Sequence, residues 1–291
     1  MKKVRVKMER IAYYNGKIGT PEDMMIPMND RVCYFGDGVY EATAAANGHI
    51  FLLNEHVDRL YNSASLISIE IPYTKEELKD ILKDVASRST NKYDFVYFQV
   101  TRGTAPRGHA FPKGDVKANL WITVTPKTFR DFSVPMKLTS MEDRRFLYCN
   151  IKTLNLLPSV LAAQKAEAEG CDETVFHRGE TVTECSHSNC SILKDGVLKT
   201  HPNDCYILPG IAKNHMFKAC RQLNIPIDET PFTLDELRNA DEVIITSSSN
   251  FCSFAGTFEG KPVGGKAPEL VKAIQDAVIR EFMDYCELSE F

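Results

Sequence analysis

The chain has 291 residues, 43% of them hydrophobic and 25% charged, with a formal net charge of −4. That balance excludes a disordered or collagen-like chain, and a chain this long buries enough surface to fold without metal or disulfide. It also excludes a globally basic surface, so neither nucleic acid nor acidic lipid is expected as a partner. The nine cysteines are irregularly spaced with no C-x-x-C, a pattern that reads as reduced thiols of a cytoplasmic protein. Residues 1–7 are basic but lack the apolar run of a signal peptide. No window approaches the roughly 18 apolar residues of a membrane-spanning helix.

Taken in chain order, residues 11–18 and 40–53 each carry an Asn-Gly pair between β-prone flanks, Asn15-Gly16 and Asn47-Gly48. Both residues of such a pair tolerate positive φ, which makes it a strong hairpin signal. A helix is expected from Asn54 as its N-cap, with Val57, Leu60, Ala64 and Ile67 at helical spacing. A second starts at Thr74, where Glu77 completes a capping box ahead of Leu78, Ile81, Leu82 and Val85. Residues 95–101 and 120–124 read as buried strands. The polar, aperiodic stretch 127–135 is the expected linker between a domain of residues 1–126 and one of residues 136–291.

Beyond it, residues 158–169 read as a helix with Gly170 as C-cap. Strands 173–176 and 180–185 pair across residues 177–179, and strands 191–193 and 197–200 flank Asp195-Gly196. Residues 211–223 are helical, Thr233 and Glu236 form another capping box, residues 241–247 make a strand, and residues 268–285 make a long amphipathic helix. The fold class is α+β: two domains of hairpin-rich sheet flanked by helices, with a cleft between them.

Six stretches hold candidate chemistry. Gly260 to Ala267 nearly matches a phosphate-binding P-loop, but Ala267 lacks the hydroxyl that would reach magnesium, so a plain Gly-rich loop is favoured. Glu184-Cys185-Ser186-His187-Ser188-Asn189-Cys190 is rich in metal-ligand types but lacks paired spacing, so no metal is expected. Thr101 to His109 runs from a strand into a loop with Arg102, Arg107 and His109, whose donors suit a carboxylate or phosphate, or make an ordinary solvated turn. Leu208-Pro209-Gly210-Ile211-Ala212 opens a helix, whose first N–H groups favour an anion, although most such turns bind nothing. Thr246-Ser247-Ser248-Ser249-Asn250 places hydroxyls at a strand end. Lys152 sits among apolar and neutral neighbours, a setting that can make a lysine nucleophilic, although composition does not single it out from the other lysines, whose default is a solvated tip.

Read together, these stretches resemble the fold-type IV, class IV aminotransferases that use pyridoxal 5'-phosphate, and within them the D-amino-acid group. The resemblance spans residues 12–284. It rests on Phe35-Gly36-Asp37-Gly38-Val39-Tyr40-Glu41, Asn54-Glu55-His56-Val57-Asp58-Arg59-Leu60-Tyr61, Tyr97 to Thr104, Ile151 to Leu157, and Thr181-Val182-Thr183-Glu184. It implies that Lys152 is the Schiff-base lysine and the acid and base of the proton transfer. It implies that Glu184 faces the cofactor's pyridine nitrogen, that Leu208 packs on its ring, and that Arg59, Ser248 and the N–H groups of Ile211 and Ala212 hold its phosphate. It further implies that Tyr40, Arg107 and His109 trap the substrate carboxylate, with the Arg-x-His loop supplied by the other subunit of a homodimer, and that the cofactor lies in the interdomain cleft.

The implied activity is ping-pong transfer of an amino group from D-alanine or another D-amino acid to a 2-oxo acid such as 2-oxoglutarate. An L-branched-chain or (R)-amine aminotransferase of the same fold, and a cofactor-binding homologue without turnover, are the alternatives. Departures from the family pattern carry their own expectations. Ala212 replaces the usual Thr, which implies weaker cofactor retention. His187 and Cys185 stand in a run usually of Ser and Gly, where His187 adds a titratable group. Ala42 and Ala44 share a strand face with Tyr40, which implies room for side chains larger than that of D-alanine.

Overall fold

The computed structural model describes residues 7–291; the expectation that the N-terminal stretch is no signal peptide lies outside them for residues 1–6. The chain divides into two units. One runs to Thr128 and also takes Ile151–Asn155 and Met283–Phe291; the other comprises Phe129–Asn150 and Leu156–Phe282. Both later segments of the first unit follow the 127–135 stretch in sequence, so their return is invisible to chain order.

The first unit contains β1 (Ile11–Tyr14), β2 (Lys17–Gly19), α1 (Arg31–Phe35), β3 (Gly38–Ala46), β4 (His49–Ile50), α2 (Leu53–Leu66), α3 (Lys75–Ala86), β5 (Tyr93–Thr101) and β6 (Asn119–Pro126). Its six strands form one antiparallel sheet in the order β2-β1-β6-β5-β3-β4. Alternation along β5 and β6 sends Val96, Phe98, Val100, Leu120, Ile122 and Val124 into the core. There they meet the apolar stripes of α2 (Val57, Leu60, Ala64) and α3 (Leu78, Leu82, Val85). Each such aliphatic side chain contributes roughly 1.5–3 kcal/mol on full burial. The hairpins at Asn15-Gly16 and Asn47-Gly48 form with positive φ at both turn residues.

The expected cap at Asn54 is corrected. α2 begins at Leu53, preceded by Leu52 in the left-handed region (φ 52°), and the helix has no side-chain cap. Asn54 sits exposed in the first turn. Burial of Phe51, Leu52 and Leu53 sets the entry of this helix, against the local capping preference.

The second unit contains β7 (Met136–Glu142), α4 (Leu157–Ala168), β8 (Glu173–Arg178), β9 (Thr181–Cys185), β10 (Asn189–Lys194), β11 (Val197–Thr200), α5 (Ile211–Gln222), β12 (Ile227–Asp228), α6 (Leu234–Arg238), β13 (Glu242–Ser247), β14 (Phe251–Phe258), β15 (Lys261–Pro262) and most of α7 (Pro268–Tyr285). Its strands run β12-β11-β10-β13-β14-β7-β8-β9, with β15 on β14. β9 stands last in that order and β10 third, yet Cys185 N–H donates to Ser188 O (2.7 Å) across the turn joining them. The sheet therefore curls back on itself.

Strands β7 and β14 were not expected. β7 lies parallel to both β8 and β14, and parallel strands carry no turn signal between them. The hairpin expected around residues 177–179 turns instead at Gly179-Glu180, because pairing extends to Arg178 and Thr181. In the Gly-rich loop, the N–H groups of Gly265 and Ala267 donate to Glu242 (3.0 and 2.7 Å), so a carboxylate of the chain itself occupies them.

Candidate active site

Lys152 lies on the returning segment Ile151–Asn155, which the first unit stitches to the start of β3. Tyr40 N–H donates to Lys152 O (3.0 Å), Leu154 N–H donates to Gly38 O (3.1 Å), and Val39 pairs with Thr153. This close approach needs glycine at 38, where a Cβ would stand 2.6 Å from Leu154 Cδ1 and from Val100 O. From the other side Lys152 N–H donates to Ser63 Oγ of α2 (3.2 Å). The backbone is thus clamped, while Nζ stands 4.3 Å from the centroid of the Tyr40 ring. That ring stacks in turn on Tyr97 (5.5 Å).

Arg59 lies on the same face of α2 as His56, three residues earlier. Both reach the buried carboxylate of Glu41 on β3. Arg59 Nε donates to Oε1 (2.6 Å) and Nη2 to Oε2 (2.8 Å), and His56 Nδ1 stands 2.7 Å from Oε2. Burial would raise the Glu41 carboxyl, but Arg59 and His56 hold it down at about 2. Burial lowers His56, against the pull of Glu41. Nδ1–H then donates to the carboxylate, leaving Nε2 a buried acceptor without a partner.

In the second unit Glu184, the next-to-last residue of β9, is buried. Its Oε1 accepts from Arg145 Nη1, and its Oε2 accepts from Asn189 Nδ2 (2.9 Å) and Leu208 N–H (3.1 Å). Burial pushes its carboxyl up, while Arg145 and the Leu208 N–H pull against it. Arg145 is itself oriented by Asp143 through Nε (2.9 Å) and Nη2 (2.9 Å).

Asn189 ties this carboxylate to the start of α5, since its Nδ2 also donates to Leu208 O (3.0 Å). A Cβ at Gly210 would fall 1.9 Å from Asn189 Oδ1, so only glycine fits at that N-cap. The first helical bond runs from Asn214 N–H to Gly210 O (3.0 Å). The N–H groups of Ile211, Ala212 and Lys213 therefore have no acceptor within the helix. At the end of β13, Ser247 and Ser249 hydroxyls bond each other (3.2 Å), and Ser248 is half-buried.

Arg107 and His109 lie exposed on the loop between β5 and β6, flanking Phe35 at 5.4 Å each. Arg31 fixes that loop, since its Nη1 donates to Gly108 O (2.7 Å) and Ala110 O (3.3 Å) while its Nε pairs with Asp37 (2.7 Å). Neither Arg107 nor His109 makes a hydrogen bond or ring contact with Tyr40 or Lys152. His187 is about half exposed, with Nδ1 2.9 Å from the buried Glu173, and Cys185 and Cys190 lie in the core of their unit.

Sequence reasoning assigned no role to Glu41, His56, Arg145 or Asn189. A helical i, i+3 pair of His56 and Arg59 on an otherwise apolar face was a usable signal for a buried acid opposite. Nothing in the sequence separates Arg145 from the exposed Arg144 beside it.

Comparison with known proteins places this geometry. Residues 38–254 match the family described as amino-transferase class IV. A D-alanine aminotransferase of Listeria monocytogenes (strain 10403S) is 40% identical over 95% of this chain and 98% of its own length. One of Staphylococcus aureus (strain MSSA476) is 38% identical over 92% and 96%. Among solved structures, the branched-chain amino acid aminotransferase of Escherichia coli shares the fold with a TM-score of 0.86 at 22% identity, over 94% of this chain and 95% of that one. The branched-chain aminotransferase of the thermophilic archaeon Thermoproteus uzoniensis, solved with norvaline, does so with a TM-score of 0.84 at 23% identity, over 94% and 97%. The chain belongs to the class IV aminotransferases, and its fold is the fold-type IV architecture.

Proposed function

We propose that this enzyme transfers the amino group of D-alanine and other D-amino acids to a 2-oxo acid such as 2-oxoglutarate, with pyridoxal phosphate as cofactor. The observation that carries this reading is the relatedness to D-alanine aminotransferases at about 40% identity over nearly the whole chain. The Arg107-x-His109 loop agrees with it, because it offers a carboxylate a guanidinium fork and an imidazole. The solved branched-chain enzymes share the fold only, and carry no argument about the substrate.

The donor set fits this cofactor. A buried carboxylate suits a protonated ring nitrogen, unsatisfied N–H groups suit a phosphate, and a clamped lysine amine suits an aldehyde. When bound, pyridoxal phosphate supplies the carbon that accepts the amino group and a ring that takes up the electron pair released at Cα. Lys152 holds the cofactor and then carries the proton from substrate Cα to the carbon receiving the amino group. Glu184, oriented by Arg145, Asn189 and Leu208 N–H, keeps the ring nitrogen protonated, and Leu208 covers the ring. Arg59, held by Glu41, acts on the phosphate with Ser248 and the N–H groups of Ile211 and Ala212. Tyr40 orients the substrate carboxylate.

Arg107 and His109 act on that carboxylate from the other subunit of a homodimer. Exposed apolar side chains of the second unit support such an assembly. Leu157, Val160 and Leu161 on one side of α4, with Phe146, Leu147 and Tyr148, are 43% to 69% exposed. Monomers rarely leave such apolar clusters in water.

The test is the absorbance of the purified protein with D-alanine and, separately, L-alanine. The aldehyde form of the cofactor is expected to give way to the amine form with the D-isomer alone. A spectrum that ignores both isomers refutes the substrate, and a protein that takes up no cofactor refutes the whole reading.

A further inference from the structure

Lys213, the third residue of α5, is fully buried, and the reaction just described does not use it. Its Nζ donates to His201 O (2.7 Å) and Asn203 Oδ1 (3.1 Å), both neutral acceptors. The Phe217 ring lies 5.4 Å away. The charges that face it are Glu229, Glu184 and Asp204, none of them within ion-pair reach. Asp204 is already engaged by the His201 ring (3.0 Å). A buried ammonium with neutral partners alone is costly unless a negative charge comes close.

A second buried group of this unit lacks a partner altogether. Thr246 Oγ1 is buried without a hydrogen-bond partner. Thr246 sits opposite Asn189 across the β10–β13 pair, so the two side chains share one face of the sheet. Asn189 points at Gly210, the N-cap of α5. The helix start therefore gathers three N–H groups and one hydroxyl without an acceptor, and the third residue of the same helix carries a buried ammonium whose two acceptors are both neutral.

We propose that Lys213 is the charge-compensating residue for the cofactor phosphate at the start of α5, making up for the hydroxyl that Ala212 does not supply. The inference rests on the cofactor reading above. Lys213 acts on the phosphate from within the protein, through a low-dielectric path where opposite charges attract strongly. It is a positioning residue for the cofactor and touches no reacting atom.

Burial lowers the Lys213 ammonium to about 8, against the pull of Glu229, Glu184 and Asp204. A phosphate dianion nearby favours the protonated form and raises it again. Phosphate binding then takes up a proton above pH 8, and the affinity falls as pH rises through that range.

The experiment compares pyridoxal phosphate with pyridoxal, which shares the aldehyde chemistry but lacks the phosphate. Both are titrated into the full-length apoenzyme from pH 7 to 10. The ratio of the two affinities isolates the phosphate, and it is expected to hold steady to about pH 8 and then fall by up to tenfold per pH unit. Lys213→Met is expected to lower the ratio about tenfold or more at pH 7 and to flatten its pH dependence. Lys213→Arg keeps the charge at every pH and is expected to keep the ratio high and flat. A merely structural lysine would weaken both aldehydes equally, and that result overturns the inference. So does a wild-type ratio that ignores pH, which needs no variant to fold. A wild-type chain that binds neither aldehyde overturns the cofactor reading itself.

Discussion

The polar clusters of the two units close their charges differently. In the first unit, Glu41 is clasped by an ion pair with Arg59 and a hydrogen bond from His56, all within 2.8 Å. The surrounding hydrogen bonds fix where the Lys152 backbone lies and leave its amine against an aromatic face. In the second unit, Glu184 is likewise clasped, but the start of α5 keeps a surplus of donors. An unsatisfied buried donor costs about 1–3 kcal/mol, so such a surplus persists where a ligand supplies the acceptor. The contrast shows a first unit whose buried carboxylate is fully paired and a second whose helix start keeps free donors, as the proposed division between a lysine nucleophile and a phosphate site requires.

The strongest way to break that comparison is Lys152→Ala. If Lys152 moves the proton as proposed, its loss is expected to lower the turnover of D-alanine by 10²–10⁴-fold or more. Stability of the cofactor-free chain is expected to stay within about 0.5 kcal/mol, because within the chain the amine contacts only an aromatic face. Steady-state rates of the loaded enzyme and urea unfolding of the cofactor-free chain check both halves. Substantial remaining activity would remove the nucleophile from the first unit.

Glu41→Gln reverses the balance of effects. It leaves Arg59 and His56 buried around a neutral amide, a change expected to cost about 3–5 kcal/mol in urea unfolding at pH 7. The pH dependence has a definite sign. Glu41 is held at about 2 in the folded chain, below its unfolded value, so its contribution is complete above roughly pH 4.5. It is lost as pH falls from there toward 2. The gap between wild type and variant is therefore expected to narrow on acidification. A gap that is absent at pH 7 would mean that the closed cluster is not what stabilises the first unit.

Local chemistry made much of this legible in the sequence. The Asn-Gly and Asp-Gly hairpins and the capping boxes at Thr74 and Thr233 form as their residue types dictate, because each depends on neighbours a few positions away. What depended on distant neighbours was hidden. Leu52 overrides the cap at Asn54 because its side chain belongs to the core. β7 finds its partners in β8 and β14, far along the chain. The site divides in the same way. Lys152 and Glu184 were picked out only by the family resemblance, whereas Arg145 and Lys213 look like any surface cation until burial and partners are known.

Ala212→Thr sharpens the comparison with the smallest expected effect. Ala212 is the second residue of α5 and is buried beside the N–H groups of Ile211 and Lys213. A hydroxyl there adds one donor to the side already rich in donors. If that side receives the phosphate, the new bond to a charged group contributes about 1.5 kcal/mol, or roughly tenfold in cofactor retention, at the low end for such bonds because the phosphate is shared among several donors. The measurement is the rate at which cofactor is lost on dialysis, wild type against variant. Retention that rises for pyridoxal phosphate and not for pyridoxal locates the anion at the helix start. Retention that is unchanged for both would mean that the donors of α5 serve another acceptor, and the division of labour between the units would have to be drawn elsewhere.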